Sequence, residues 1–179
     1  MTRLPMFGRA GVIAQLLALA LLVMLTACGP DPHEKVAVSI TGINYTYESV
    51  EEFYVNGAWA GNLPAYGGGG KTVCCVMLPR TWTAGLQAEV TRTIGHFTRP
   101  YAEFKDRPVS EWRACCWTER TLTQTVPVQK YDRPAKVQVF FLPDDKVEIW
   151  VFDATPPNPN HPSGRPYPVD PHPREAEEK

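Results

Sequence analysis

Residues 52–60 read Glu-Phe-Tyr-Val-Asn-Gly-Ala-Trp-Ala, and this stretch decides the fold class. Asn56 and Gly57 separate two apolar runs, and both residue types tolerate the positive φ that a two-residue type I′ turn requires. The stretch therefore predicts a tight β-hairpin. A similar signal recurs near residue 143, where Pro-Asp-Asp separates the strand-like runs 136–142 and 146–152.

Segments with strand character surround this hairpin. Four more of them alternate apolar with polar residues or form short apolar runs: 36–47, 72–78, 86–94 and 111–126. The alternation changes phase at Gly42, which predicts a β-bulge there. Residues 95–110 have no clear period, and no convincing amphipathic helix is present. The pattern predicts a mainly β domain over residues 36–153, an antiparallel sandwich or an open barrel.

The first 27 residues have the composition of a bacterial secretory signal, with two arginines before a long apolar run. The run ends in Leu25-Thr-Ala-Cys28, which resembles the lipobox of bacterial lipoproteins. That resemblance implies cleavage before Cys28, a diacylglyceryl group on its thiol and acylation of its new amino group, and several acyl chains give stable attachment to a membrane. An uncleaved transmembrane anchor is the alternative, but Gly29-Pro30 follows directly and no basic stop signal does.

The residues after the lipobox indicate a location and limit the class of partner. Residue 29 is glycine and not the aspartate that retains many lipoproteins in the inner membrane, so the resemblance implies the outer membrane, facing the periplasm. Residues 28–35 are polar and proline-broken, as expected of a lipidated tether. The chain after residue 27 carries 16 basic and 19 acidic residues. Such a balance provides no basic footprint for nucleic acid.

The domain contains four cysteines in two adjacent pairs, the doublets Cys74-Cys75 and Cys115-Cys116. An even number in an oxidising compartment is typical of a disulfide framework. If the two doublets lie on neighbouring antiparallel strands, Cys74 faces Cys116 and Cys75 faces Cys115. One such bridge, closing about 42 residues, is worth roughly 4 kcal/mol. Only one of two adjacent pairs occupies a close, non-hydrogen-bonded position, so a single bridge with two free thiols is the alternative.

Metal, nucleotide and catalytic chemistry find little support in the sequence. Neighbouring residues of a strand point to opposite faces, so the doublets are poor candidates for a zinc site or a C-x-x-C redox site. The run Gly67–Gly70 precedes a strand where a phosphate loop needs a helix, which favours close backbone packing or a flexible loop. His96 is the only histidine of the predicted domain, and no serine lies in a nucleophile elbow. We predict no catalytic residue, no metal and no cofactor.

Two aromatic residues, Trp59 and Tyr66, lie shortly before the glycine run. Exposed aromatic side chains often carry binding energy, so the candidate contacts are Trp59, Tyr66, Gly67 and Gly68. The alternative for Trp59 is a cross-strand pair with Tyr54 in the hairpin.

The composition changes at Ala154, after which 26 residues contain eight prolines and end in a charged run. Such a segment has too little apolar surface to offset its ordering entropy. We therefore predict a disordered proline-rich tail over residues 154–179. A proline-rich ligand for a partner domain is the alternative.

Two stretches, Tyr54–Asn62 and Gly67–Gly85, contain Val-Asn-Gly, a glycine run, a Cys-Cys doublet and Leu-Pro-x-x-Trp. Over roughly residues 36–153 this pattern resembles a domain-of-unknown-function family of Gram-negative lipoproteins. Some members resemble, or serve as, immunity lipoproteins encoded beside lipase effectors of the type VI secretion system. The resemblance implies a non-enzymatic protein that binds and neutralises such a phospholipase in the periplasm, with no small-molecule substrate. A structural or accessory outer-membrane lipoprotein without a toxin partner is the second expectation, and a periplasmic hydrolase or ligand carrier is the third.

Overall fold

The computed structural model describes Asp31 and residues 34–171. Residues 1–34 and 35–179 form two separate units, and the predicted signal segment 1–27, Cys28 and most of the tether 28–35 lie outside the described residues. The second unit contains eight strands: β1 (Lys35–Asn44), β2 (Ser49–Val55), β3 (Ala58–Leu63), β4 (Val73–Pro79), β5 (Gln87–Phe97), β6 (Trp117–Pro127), β7 (Val137–Phe141) and β8 (Val147–Val151). A 3-10 turn at Tyr101–Glu103 and a helix, α1, at Val109–Cys116 lie between β5 and β6.

The strands form two four-stranded sheets, so the mainly β prediction is confirmed. The first sheet has the order β4-β1-β7-β8 and the second has the order β3-β2-β5-β6. They are open sheets and do not close into a barrel. All pairs are antiparallel except β1 with β7, which run parallel. The purely antiparallel expectation is wrong at that pair, because the long chain between β1 and β7 allows a crossover between parallel strands.

The two sheets pack on a shared apolar core. Phe53 and Val90 of the second sheet and Ile40 and Val139 of the first are fully buried there. The ring of Phe53 meets that of Phe141 edge-on, with centroids 5.2 Å apart. Each sheet therefore has one face in the core, and what covers its other face distinguishes the two sheets.

Both predicted hairpins are present. Asn56 and Gly57 have φ values of 49° and 77° in the turn between β2 and β3. Asp144 and Asp145 have φ values of 61° and 56° in the turn between β7 and β8. The predicted bulge at Gly42 is misplaced, because the irregular pairing of β1 lies between Val38 and Ile40. Gly42 instead lies so close to Phe53 and Leu63 that a Cβ would overlap both side chains.

The strand predicted over residues 111–126 is wrong in its first part. Helix α1 begins at Val109, directly after Pro108, whose backbone is still extended with a ψ of 135°. Trp112 of α1 packs on Phe104 and Phe97, with ring centroids 5.4 and 6.5 Å apart. This aromatic contact buries Phe104, and strand β6 begins only at Trp117. Within the described part of the chain, no helix is long and apolar enough to cross a bilayer.

The predicted pairing of the doublets is also wrong, because each doublet forms a disulfide within itself. Cys74 bonds Cys75 in β4, and Cys115 bonds Cys116 at the end of α1. Cys74-Cys75 lies in β4, which pairs with β1 of the first sheet, whereas Cys115-Cys116 ends helix α1, and the strand after it, β6, pairs with β5 of the second sheet. The strands were therefore never neighbours, and neither bridge joins the sheets.

Within residues 154–171 the proline-rich segment packs on the first sheet, so the prediction of a disordered tail is wrong for these residues. His161 is 3% exposed and stacks on Phe140, with ring centroids 5.5 Å apart. The rings of Trp150 and Phe152 also contact His161. The segment covers the outer face of the first sheet, which is apolar. The segment itself has few apolar residues, and the apolar surface that becomes buried is provided by the sheet.

Polar contacts hold the same segment in place. The Tyr45 hydroxyl donates to the Pro166 carbonyl at 3.0 Å, and the Tyr167 hydroxyl donates to the Gly68 carbonyl at 2.9 Å. Arg165 forms an ion pair with Glu148 of β8 at 2.7 Å. The segment is thus a cover that is bonded to the sheet at several points, and we call the surface beneath it the covered face.

Candidate functional site

Among Asp31 and residues 34–171, no segment covers the outer surface of the second sheet, and we call this surface the open face. Ala88, Val90 and Ile94 of β5 point into the core, so the alternate residues of that strand and their partners on β2 and β6 point outward. The open face is formed by these residues together with β3: Glu52, Tyr54, Trp59, Glu89, Thr91, Thr93, Phe97, Trp117, Glu119, Thr121, Thr123 and Thr125.

Threonines form the centre of the open face. Thr91 lies opposite Thr123 and Thr93 opposite Thr121. Their hydroxyl oxygens are hydrogen-bonded across the strands at 3.0 and 3.1 Å. Because each hydroxyl has a fixed partner, these side chains form an ordered and nearly level surface.

Carboxylates surround the threonines. Glu51 and Glu119 share Arg113, which pairs directly with Glu51 and lies 3.8 Å from Glu119. Glu52 accepts a hydrogen bond from the Tyr54 hydroxyl at 2.9 Å, and this bond raises the pKa of Tyr54. Counting Glu89 as well, the three carboxylates of the open face, together with Glu51 and Arg113 beside it, give this surface a negative charge.

Aromatic side chains lie at both ends of the open face. At one end Trp59, 52% exposed, is the cross-strand partner of Tyr54. At the other end Phe97 is 42% exposed and stacks on buried Phe104, with centroids 4.8 Å apart. Trp117 packs beside Phe97 and lies under the Arg113 guanidinium, which is 5.0 Å from its ring. The open face thus combines aromatic ends with a polar and acidic centre.

The structure separates the four predicted contact residues. Trp59 lies on the open face and is the cross-strand partner of Tyr54, so the pairing alternative is confirmed, whereas its contact with a partner stays a prediction. Trp59 and Gly68 line a groove of about 410 Å³ between β3 and the glycine run. Tyr66 is half-buried and lines a different cleft, at the end of the two sheets. Gly67 is buried, so its side of the loop is not available to a partner.

The glycine run has a packing role. The Gly67 carbonyl accepts a hydrogen bond from the backbone amide of Asn44 at 2.8 Å, and the backbone amide of Gly69 donates to the Gly42 carbonyl at 2.7 Å. Gly68 has a φ of 124°, and a Cβ there would overlap the Gly42 carbonyl oxygen. The expectation of close backbone packing is therefore confirmed, and the alternative of a flexible loop is wrong.

The cleft beside Tyr66 has a volume of about 390 Å³ and contains a charged network. Arg120 donates to Glu48 at 2.7 Å and to the Asp145 carboxylate at 2.9 Å. Arg92, only 2% exposed, donates to the Asp145 carbonyl at 3.0 Å. Burial lowers the pKa of Arg92, and the nearby Asp145 opposes that effect. His96 lies 3.1 Å from the same Glu48 carboxylate.

This network links the two sheets. Arg92 and Arg120 belong to the second sheet, whereas Asp145 lies in the β7–β8 turn of the first. The sequence contains no signal for it, because its members come from separate segments without a common spacing. Its charges are paired with each other, which favours a structural role. Among the residues that the structure describes, no group of three His, Cys, Asp or Glu side chains is placed to hold a metal ion.

Comparison with known proteins gives one match. No curated protein and no solved structure matches the chain. The family described as "Protein of unknown function (DUF3304)" matches residues 43–149. That range runs from the end of β1 into β8 and includes every strand of the open face. The chain therefore belongs to the DUF3304 family.

Proposed function

We propose that this protein is a lipid-anchored, periplasm-facing immunity protein that binds and neutralises a type VI secretion phospholipase, without catalytic activity of its own. The observation that carries the proposal is the open face, where Trp59 and Phe97 remain exposed on an ordered sheet. Interfaces between proteins are enriched in aromatic residues, and a few of these carry most of the binding energy.

The rigidity of the scaffold favours tight binding. The open face is built on strands that are paired along their length, and β5 pairs with β6 over 11 residues. A surface that is already ordered loses little conformational entropy on association. An inhibitor needs such a surface, because it must remain bound while the enzyme meets its lipid substrate.

The location in this proposal comes from the sequence. The lipobox-like Leu25-Thr-Ala-Cys28 supports anchoring through Cys28, and Gly29 supports the outer membrane. A phospholipase that reaches the periplasm acts at a membrane surface. An anchored inhibitor is concentrated at that surface, which raises its effective concentration.

The test is protection of cells against the lipase encoded beside this gene. That lipase is exported to the periplasm of a sensitive host, with and without the full chain, and survival and phospholipid hydrolysis are measured. We expect survival with the full chain and a stable complex between the purified proteins. Absence of a neighbouring lipase gene, or a lipase that is neither bound nor inhibited, would refute the proposal and favour an accessory envelope role.

A Cys28→Ser variant tests the anchor separately. We expect loss of palmitate incorporation and of lipoprotein-type cleavage, because serine lacks the thiol that receives the lipid. Protection should weaken while binding by the purified domain is retained. Normal acylation of this variant would show that the lipobox assignment is wrong.

A further inference from the structure

We infer that the open face is the surface that docks the partner, and that the partner presents lysine and arginine side chains to it. This inference rests on the proposed function, because it assigns a surface and a partner chemistry to the same binding event. It differs from the sequence-based expectation, which placed the contacts on Trp59 and the glycine run.

The charges of the open face are incompletely paired. Arg113 lies between Glu51 and Glu119 and partly neutralises both. Glu52 and Glu89 have no cationic partner among Asp31 and residues 34–171, and Glu89 is exposed. Cationic side chains on a partner would complete the pairing. Such complementarity increases the association rate and excludes partners of the wrong charge.

An ordinary solvated sheet face is also polar, but the open face differs from one in two respects. Its exposed aromatic residues lie at its two ends, Trp59 beside Tyr54 and Phe97 beside Trp117. Between them, the threonine hydroxyls are hydrogen-bonded to each other. Glu52 and Glu89, the carboxylates without a cationic partner in the described part of the chain, are therefore the charged groups that can pair with a docking protein. Aromatic anchors around a charged centre provide both apolar burial and orientation.

The dimensions of the open face suit a protein partner. β5 contains 11 residues, so the face is about 35 Å long and, across four strands, about 14 Å wide. Its projected area is roughly 500 Å², and the loops at its ends bring it towards the roughly 800 Å² that one partner contributes to a typical interface.

The other surfaces are less suitable for this role. The proline-rich segment already occupies the covered face, where His161 stacks on Phe140 and the Tyr167 hydroxyl donates to the Gly68 carbonyl. The charged groups of the cleft pair with each other across the two sheets. The groove beside Gly68 has a single charged residue in its lining, Lys71, which would attract an acidic partner.

The test measures binding of the chain from Cys28 onward to the neighbouring lipase, with a double Glu52→Lys/Glu89→Lys variant. We expect dissociation constants to rise about tenfold or more, chiefly through slower association, and the salt dependence of the association rate to fall. Glu52→Gln/Glu89→Gln should give a smaller loss. Asp132→Lys is the matched control for Glu89→Lys alone, because each changes the net charge by the same amount and Asp132 is an exposed carboxylate beside Pro162 that does not belong to the open face.

The outcomes distinguish the two proposals. If the unaltered chain does not bind the lipase, the proposed function fails and this inference fails with it. If the unaltered chain binds and the double variant binds within about twofold, only the docking assignment is overturned. An equal loss with Asp132→Lys and with Glu89→Lys alone would also overturn it, because the effect would then come from net charge. Circular dichroism and unfolding midpoints of each variant exclude loss of the fold as the cause.

Discussion

The covered face and the open face belong to sheets of equal strand number, yet their outward side chains differ in kind. On the covered face Ile43, Phe140 and Leu142 form a second small core with Tyr45 and Trp150. At the equivalent place on the open face, threonines bond to each other across β5 and β6. An apolar outer face requires a cover from the same chain, whereas a polar one is stable in water.

This difference indicates which of the two outer sheet faces a partner protein can reach. The proline-rich segment contributes His161, Arg165 and Tyr167 to the covered face, and each contacts a different part of it. The segment thereby covers aromatic residues that would otherwise form an exposed apolar patch and promote aggregation. Its exposed aromatic residues on the second sheet are few and lie at the ends of the open face.

The largest expected effect comes from Phe140→Ala on the covered face. Phe140 is fully buried between the sheet and His161, so we expect a loss of about 3–5 kcal/mol in the free energy of unfolding. The matched change on the open face is Thr93→Ala, which should cost no more than about 0.5 kcal/mol. Urea unfolding of both variants provides the comparison. Similar costs at the two positions would show that the proline-rich segment is not a true cover.

The link between the sheets should give an intermediate effect. Asp145→Ala leaves the buried guanidinium of Arg92 without its carboxylate, whereas Arg92→Met removes the buried charge itself. Breaking a buried pair costs more than replacing its charged member by an apolar one. Because Asp145 is 43% exposed, we expect a loss of only about 1–2 kcal/mol for Asp145→Ala, and less for Arg92→Met. A larger cost for Arg92→Met in thermal unfolding would contradict this interpretation.

The cover should loosen in acid because of His161. Burial lowers its pKa below the ordinary 6.5, so the folded chain holds the neutral imidazole while the unfolded chain takes up a proton. Stability contributed by His161 is therefore complete above about pH 6.5 and falls as the pH decreases towards its folded pKa. We expect Trp150 fluorescence and hydrogen exchange of residues 154–171 to report this loosening between pH 7 and 5.

The neighbouring ion pair titrates in a lower range. Burial would raise the pKa of Glu148, but hydrogen bonds from Arg165 and Trp150 outweigh it and lower the pKa below its ordinary 4.5. Its contribution is therefore lost only as the pH falls below about 4.5.

His161→Phe is the control for the loosening of the cover between pH 7 and 5, since it keeps the aromatic stack and removes the titrating imidazole. If the variant loosens like the unaltered chain between pH 7 and 5, His161 is not responsible.

The smallest effect is expected from the doublets. A bond between neighbouring residues closes no long loop, so the roughly 4 kcal/mol of loop entropy for a bridge between doublets does not apply. Replacement of Cys74-Cys75 by Ala-Ala should change the free energy of unfolding by less than about 1 kcal/mol. Mass spectrometry of a non-reduced digest should release the two doublets on separate peptides. A peptide that links them would restore the pairing expected from the sequence.

Local signals in the sequence predicted the local structure well. Asn56-Gly57 fixes a hairpin because few residue types accept its φ values, and the alternation in residues 86–94 predicts β5 because one side of the strand is buried. That same alternation already contains Thr91 and Thr93, yet their meaning depends on β6, which places Thr121 and Thr123 beside them. The open face could therefore be predicted strand by strand, but not as a surface.

Contacts between distant segments account for what the sequence did not predict. The proline-rich segment is ordered only because Phe140 and Trp150 offer it an apolar surface. The doublets bond internally, since their segments join different sheets. Helix α1 forms where Trp112 meets Phe97 and Phe104, residues of the segment that showed no period. For α1 the deciding partners lie close in sequence but in a stretch without a period, whereas for most of the cover they lie further away than the window in which a periodicity is read.

The parallel pairing of β1 with β7 determines when the domain completes its fold. Val137 follows its partner Ile40 by 97 residues, and β1 is a central strand of the first sheet. During synthesis, β1 is therefore made long before its parallel neighbour β7. Contacts of such sequence separation form slowly and late. The first sheet is therefore incomplete until β7 and β8 have been made, and such late completion suits a protein that we propose to be exported through a narrow secretion channel.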